Sequence, residues 1–236
     1  MSLQPALTQT KGEVAYTRLR DAVRTGVLQP GQRVTLVDLS EQLGMSLTPV
    51  REALRMMATQ GLVEQESNKF TTIAQYTLES GLEVYRLRLL LEPLAVQLAV
   101  PVATKEQLAN LRAIQGRARA ALPSGHSGVL AELNYEFHMA LCQISNQPLL
   151  MQFIERLWNG VPFQAMSLAG RNETSLDEHD EIVNAIEDGD LKAAELIRNH
   201  IGHAARATLL TLPTSRNTDE VREEIEALVH PIKYES

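Results

Sequence analysis

A chain of 236 residues provides for one large domain or two modest ones, each able to bury its own core. The apolar fraction of 44% with only 4% aromatic residues is typical of a globular protein built on aliphatic side chains. No apolar run reaches the roughly 18 residues of a membrane span, and no secretory signal begins the sequence, so we expect a cytoplasmic protein. The single cysteine, Cys142, fits a reducing compartment and is expected to be a buried apolar side chain.

The net charge of −7 is unevenly distributed along the chain. Residues 1–75 hold eight Lys or Arg against seven Asp or Glu, whereas the remainder holds 14 against 22. This balance excludes a protein that coats nucleic acid over its whole surface. Any contact with nucleic acid must come from a few well-placed cations in the N-terminal part.

The first 75 residues predict three helices followed by a β-hairpin. The predicted helices cover residues 13–24, 36–43 and 48–60. Thr48 is the expected N-cap of the third helix, with Pro49 at its first position. Two short alternating runs, 62–65 and 70–73, flank a polar corner and predict the hairpin. This order is that of a winged helix-turn-helix over residues 10–75, although periodicity alone also allows a small helical domain with a separate hairpin.

Residues 79–211 predict an all-helical bundle, so the expected fold class is mainly α. The predicted helices cover residues 79–99, 104–121, 127–145, 147–169, 175–188 and 190–211. Pro93 and Pro162 fall inside two of these helices and are expected to kink them. Residues 212–236 have little apolar pattern and are expected to form a loosely attached tail.

Three runs in the N-terminal part resemble the DNA-binding domain of the GntR family. They are GVLQPGQRV at 26–34, LSEQLGMSLTPVREAL at 39–54 and GLV at 61–63. The most specific part is TPVREAL, which falls on the predicted third helix. The resemblance implies a ligand-responsive, dimeric regulator that binds a double-stranded DNA operator.

The rest of the chain resembles the helical FCD effector domain of the FadR-type subfamily. The matching runs are RLLLEPL at 88–94, NYEFH at 134–138, EH at 178–179 and NHI at 199–201. With the N-terminal runs, the resemblance covers residues 13–210, nearly all of the predicted folded part. It implies that the helical domain binds a small effector molecule, which we expect to be a small organic acid.

The candidate DNA-binding residues are Ser46, Leu47, Thr48, Arg51 and Lys69. In a helix-turn-helix the N-terminal end of the second helix of the motif enters the major groove. Hydroxyl groups there suit phosphate oxygens, and an Arg fork suits guanine. Lys69, at the predicted hairpin tip, is expected to reach a neighbouring phosphate or the minor groove.

Two positions depart from the family's usual pattern. Leu47 stands where members usually carry an Arg that reads a base, and Phe70 stands where the wing usually has Gly. Because Leu offers only apolar contact, for instance to a thymine methyl group, the operator sequence is expected to differ from the family consensus.

Three of the six histidines are expected to face one interior from three helices. His138, His179 and His200 each lie at helical spacing from large apolar residues, and Asn134 precedes His138 by one turn. The family resemblance implies a divalent metal held by three histidines and an aspartate, for which this chain has Asn134. Imidazole ligands favour zinc or nickel, and a metal-free polar pocket is the alternative. The other histidines, expected to face solvent, are His126, His203 and His230.

Arg88 and Glu92 lie four residues apart on one predicted helix. They form an ordinary helix ion pair under one interpretation. Under the other, which the resemblance suggests, Arg88 faces the pocket and binds the carboxylate of the effector.

Two other classes of function stay open at this point. One is a metal-dependent enzyme whose three-histidine site activates water. The sequence offers it no general base, because Asn134 does not ionise and Glu136 lies about 200° around the helix from it. The other is a purely structural partner protein, which would leave the Arg51 region unexplained.

Overall fold

The computed structural model describes residues 9–65, 70–124, 127–159 and 172–230. The chain forms two compact units, the first ending at Gln75 and the second beginning at Tyr76. The described residues are mostly helical and include one small antiparallel sheet, which confirms the predicted fold class. Among the helices in these ranges, none is long and apolar enough to cross a membrane.

The first unit consists of three helices and a three-stranded sheet. Its elements are α1 (Lys11–Arg24), β1 (Arg33–Val34), α2 (Leu36–Leu43), α3 (Leu47–Thr59), β2 (Val63–Gln65) and β3 (Thr71–Ile73). The sheet has the order β1-β3-β2, and both pairs are antiparallel. The hairpin of β2 and β3 was predicted, whereas β1 is only two residues long and too short to show an alternating pattern.

Local capping interactions begin and end the helices of the first unit. Thr10 and Glu13 form a reciprocal capping box that begins α1. Gly44 ends α2 with a φ of 63°, a left-handed conformation that glycine adopts without steric cost. The N-cap of α3 is Ser46 and not Thr48, so that prediction was wrong by two residues. Pro49 is accepted inside the first turn because the first N–H groups of a helix have no partner within it.

Helix α3 packs against α1 through one apolar face and leaves the opposite face exposed. The buried side chains of this core include Ala15, Leu19, Leu39, Val50 and Leu54. Helix α3 follows α2 after a turn of three residues, residues 44–46, and is therefore the second helix of the helix-turn-helix.

The second unit is an all-helical bundle. Its α-helices are α4 (Leu78–Ala99), α5 (Lys105–Ala121), α6 (Ser127–Gln143), α7 (Pro148–Asn159), α8 (Asn172–Glu187), α9 (Ala193–Leu209) and α10 (Thr218–Val229). Short 3₁₀ turns follow α4 and α5 at Val100–Val102 and Leu122–Ser124. Helix α4 continues through Pro93. The predicted extension of α7 to residue 169, with its kink at Pro162, lies outside the described residues.

The predicted loose tail is wrong for residues 218–229. These residues form α10, which packs against α9 and α4 and buries Val221 and Ile225 in the core of the bundle. Asn217 accepts a hydrogen bond from the backbone N–H of Asp219 and so caps the helix. The sequence pattern missed this element because only two large side chains of α10 are buried while its remaining face is charged.

The Ile225→Ala variant should test whether α10 is part of the folded unit. Ile225 is only 2% exposed, and truncating a buried Ile to Ala typically costs about 2–5 kcal/mol. Urea unfolding should show this loss, whereas the exposed neighbour change Glu223→Ala should leave stability within about 0.5 kcal/mol. Equal stability of the two variants would contradict the docking of α10.

Candidate functional site

Three buried histidines from three different helices meet inside the second unit. His138 lies on α6, His179 on α8 and His200 on α9, and each is less than 5% exposed. The Nε2 atom of His200 is 3.2 Å from the Nε2 atom of His138 and 3.2 Å from that of His179. The three offer nitrogen atoms that all lie within 4.8 Å of one another. The sequence therefore predicted this convergence correctly.

Two carboxylates fix the outward-facing nitrogens of two of these rings. Glu92 Oε2 lies 2.7 Å from His138 Nδ1, and Glu178 Oε2 lies 2.8 Å from His200 Nδ1. An ionised carboxylate only accepts hydrogen bonds, so each Nδ1 carries the proton and donates it. In the neutral rings of His138 and His200, each Nε2 atom is then unprotonated and directs its lone pair inward.

Gln115 fixes the third ring in the same way. Its amide nitrogen donates to the backbone carbonyl of Leu176 at 3.0 Å, so its amide oxygen faces His179. That oxygen lies 3.1 Å from His179 Nδ1, which must donate to it. All three neutral rings therefore present an Nε2 lone pair to one common point.

This arrangement fits a divalent metal ion. Lone pairs that face one another at 3.2 Å repel unless a cation or a proton lies between them. Neutral imidazoles whose other nitrogen donates to a carboxylate or amide oxygen are the usual form of metal-ligating histidine. The three rings would hold such an ion through Nε2.

Asn134 lines the same cavity. It is half-buried on α6, one turn before His138. The cavity has a volume of about 60 Å³, opens to solvent, and is also lined by Arg88 and the three histidines. The side-chain amide of Asn134 offers a neutral oxygen at the position where the family resemblance implies an aspartate.

Arg88 takes part in both of the arrangements considered from the sequence. Its Nε donates to Glu92 Oε1 at 2.5 Å, and its guanidinium lies 3.9 Å from the centre of the Trp158 ring. Arg88 is 2% exposed and lines the cavity, and its Nη1 has no hydrogen-bond partner within the described part of the chain. Arg88 is therefore an ion-pair partner of Glu92 and also a cation at the cavity, with an Nη1 group that can donate to a ligand.

The burial of this cluster sets its charge state. Burial alone would raise the pKa of Glu92, but the adjacent Arg88 and His138 outweigh it and lower that pKa to about 2. Burial is the main reason why the pKa of His138 is lowered to about 4, against the opposing attraction of Glu92. At neutral pH Glu92 is a carboxylate and His138 is a neutral ring, which is the form that binds metal.

The sequence did not predict the residues that hold the histidine rings. Glu92 was considered only as a partner of Arg88, and Glu178 was noticed only as the neighbour of His179. No sequence pattern indicated Gln115 or Trp158, because their partners are distant in the chain. Gln115 contacts His179, 64 positions away, and Trp158 contacts Glu92, 66 positions away. The remaining histidines differ: His203 is half-exposed with its Nδ1 2.7 Å from Glu178 Oε1, His230 is exposed, and His126 lies outside the described residues.

The candidate DNA-binding residues lie together on the first turns of α3. Ser46, Leu47, Thr48 and Arg51 are all exposed, and the Ser46 hydroxyl does not cap the helix. Lys69 lies outside the described residues. In the wing, the exposed Phe70 lies beneath the guanidinium of Arg33, which is 4.8 Å from the centre of its ring.

Each of the two units matches a known protein family or domain. Residues 11–73 match the bacterial regulatory proteins of the gntR family, and residues 83–203 match the FCD domain. The chain belongs to the GntR family. It is a transcriptional regulator with an FCD domain, and this assignment favours regulation over the metal-dependent enzyme considered from the sequence.

This GntR regulator is similar to other bacterial transcriptional regulators. It is 28% identical to the HTH-type regulator YdhC of Bacillus subtilis over 193 residues, which cover 80% of this chain and 86% of YdhC. It is 36% identical to McbR of Escherichia coli over 143 residues, 59% of this chain and 63% of McbR. The solved structure of E. coli McbR/YncC matches with a TM-score of 0.77 and 25% identity, over 83% of this chain and 95% of that one. A GntR-type regulator from Rhodococcus sp. RHA1, at 21% identity, shares the fold with a TM-score of 0.73 over 87% of this chain and 100% of that one.

Lowering the pH should destabilise the metal-free regulator. The pKa of His138 is about 4 in the folded chain but near the ordinary histidine value of 6.5 when unfolded. As the pH falls below 6.5 the unfolded state binds the proton first, so the free energy of unfolding declines until the pH reaches about 4. This group alone should contribute a loss of about 3 kcal/mol.

Urea unfolding in the presence of a chelator, at a series of pH values from 7 to 4, measures this loss. The His138→Gln variant should lose this part of the pH dependence, whereas His230→Gln, which changes an exposed ring, should retain it. Parallel pH profiles for wild type and His138→Gln would show that the buried ring is not responsible.

Proposed function

We propose that this GntR regulator is a homodimer that binds a double-stranded DNA operator and responds to a small organic acid held beside a divalent metal ion. The observation that carries the proposal is the convergence of three imidazole Nε2 lone pairs in a cavity that also contains Arg88. The cavity lies in the unit that does not contain the helix-turn-helix, as expected for a regulator with separate sensing and DNA-binding parts.

The proposed metal ligands are His138, His179 and His200, with Asn134 or water as a weaker fourth ligand. Three neutral imidazoles favour zinc or nickel over magnesium and calcium, which prefer oxygen ligands. A bound ion would supply an electrophilic centre with open positions for a carboxylate oxygen. The three histidines would connect α6, α8 and α9 at that centre.

The proposed effector is a carboxylate because the cavity's unsatisfied polar group is a cation. Arg88 Nη1 is buried without a hydrogen-bond partner among the described residues, and a guanidinium binds carboxylates with well-matched geometry. The metal ligands proposed here are all neutral, so an incoming carboxylate would not meet a negative charge on them.

The proposed DNA contacts come from the exposed end of α3. The Ser46 and Thr48 hydroxyls would bind phosphate oxygens, and Arg51 would bind a base in the major groove. Leu47 is 43% exposed at the start of the helix, and it would contact the methyl group of a thymine.

The proposed dimer interface is an apolar ridge on α4. The ridge consists of four leucines at spacings of three and four residues, each 38–44% exposed: Leu87, Leu90, Leu94 and Leu98. On α7, Leu149 and Phe153 are 66% and 54% exposed. We expect a second copy of the chain to cover this ridge, since helix-turn-helix proteins commonly bind palindromic half-sites as two-fold dimers.

The Arg51→Ala variant should bind its operator more weakly. Loss of a base contact should cost about 1–3 kcal/mol and relax the preference at one position of each half-site. Selection from a randomised duplex library, followed by mobility-shift titration, measures both effects. Lys105→Ala, which removes an exposed cation in the second unit, is the charge-matched control and should bind like the wild type. Equal binding by Arg51→Ala across the library would contradict its role.

The Leu94→Glu variant should be monomeric. A carboxylate in the middle of the ridge would be buried without a partner in the dimer, whereas it would be solvated in the monomer. Sedimentation analysis should show two chains for the wild type and for Leu191→Glu, which makes the same change at an exposed leucine outside the ridge. A dimeric Leu94→Glu protein would place the interface elsewhere.

The His179→Ala variant should lose metal affinity. Removing a direct ligand should cost more than the roughly 10–100-fold that losing an outer hydrogen-bond partner costs. Asn134→Asp should instead tighten binding, because it adds a charged oxygen. Calorimetric titration of chelator-treated protein with zinc measures both changes, with the exposed His230→Ala as the control. If neither change alters the titration, the cavity is a metal-free polar pocket.

A further inference from the structure

One buried carboxylate connects the proposed metal ligands to the proposed effector-binding cation. Glu92 is fully buried, and its Oε1 accepts from Arg88 Nε at 2.5 Å and from Trp158 Nε1 at 3.0 Å. Its Oε2 lies 2.7 Å from His138 Nδ1. All three of these neighbours are donors, and none of them is on an exposed surface of the bundle.

We propose that Glu92 is a positioning residue that keeps His138 in the Nδ1–H tautomer and thereby directs its Nε2 lone pair at the metal position. The proposal rests on the function proposed above, since it explains how His138 is held in the tautomer that binds the proposed metal. Glu92 does not touch the metal position itself and acts through His138.

The His138 ring has an acceptor on each side, and the charged one, Glu92, decides which nitrogen carries the proton. The opposite nitrogen, Nε2, lies 3.2 Å from His200 Nε2, which is itself a lone pair because Glu178 accepts the proton of His200 Nδ1. If His138 carried its proton on Nε2, it would form a hydrogen bond to His200 and occupy the space of the ion. The carboxylate on the other side of the ring removes this alternative.

Replacing Glu92 with glutamine should invert the tautomer of His138. The Arg88 and Trp158 donors would hold the amide oxygen of Gln on their side, so its NH₂ group would face His138. Two donors cannot face each other, so Nδ1 would become the lone pair and the proton would move to Nε2. The variant therefore preserves the shape of the site, but His138 no longer offers an Nε2 lone pair to the metal.

Nitrogen-15 NMR of histidine-labelled, metal-free protein should read this change directly. Wild-type His138, assigned by comparison with His138→Gln, should give the Nδ1–H signature, and Glu92→Gln should give the Nε2–H signature. Zinc titration of the same samples should show affinity at least about tenfold weaker for Glu92→Gln, the range found when an outer-shell acceptor is lost. Glu136→Gln makes the same chemical change at an exposed position two residues from His138 and should change neither readout.

A second variant covers the case in which Glu92→Gln does not fold, because it leaves the buried Arg88 charge without its partner. Arg88→Met/Glu92→Gln removes both charges together and should give the same inverted tautomer. Trp158 is the only tryptophan of the chain, so its fluorescence reports whether the site is folded in each variant.

Three results would overturn the proposal. One is an Nε2–H signature for wild-type His138, the second is an unchanged tautomer in the folded variants, and the third is an inverted tautomer with unchanged zinc affinity. If the wild type binds no zinc at all, the metal part of the proposed function fails, and the tautomer comparison alone then decides the role of Glu92.

Discussion

Three neutral imidazole lone pairs that face one another beside the cavity impose the main physical constraint on the helical unit of this regulator. Glu92, Gln115 and Glu178 impose this orientation, because each accepts the proton on the far side of one ring. Without a positive charge between them, the three Nε2 atoms would repel at the observed separations. The arrangement gives a reason for three buried histidines on three different helices whose ring nitrogens meet at one point. Under the proposed function, the three histidines belong to a sensing site.

The buried Arg88–Glu92 pair supports the proposal that this part of the core binds an effector. A buried ion pair is no more stabilising than well-packed apolar residues of similar size, so its presence calls for a role other than stability. Both residues lie on the buried face of α4, whose exposed face carries the leucine ridge. Occupation of the cavity and association of two copies would then act on opposite faces of a single helix.

The sequence predicted the parts of this structure that depend on local patterns. Helical periodicity and capping located α2 at its observed bounds and placed His138, His179 and His200 toward one interior. The length of α10 was missed because tertiary packing of Val221 and Ile225, rather than a continuous apolar stripe, holds it in place. The start of α3 was misplaced because Pro49 is compatible with several positions of a first helical turn. Gln115 and Trp158 were missed because a polar or aromatic residue gives no sign in the sequence of a partner more than 60 positions away.

X-ray absorption spectroscopy of the zinc-loaded protein tests most directly whether His138, His179 and His200 jointly hold a metal ion. This ligand set predicts three imidazole nitrogens at about 2.0–2.1 Å from the metal, with any remaining ligands being oxygen atoms. The spectrum of the His200→Ala protein should show one imidazole fewer. A metal environment made of oxygen ligands only, or one with fewer than three imidazoles in the wild type, would contradict it.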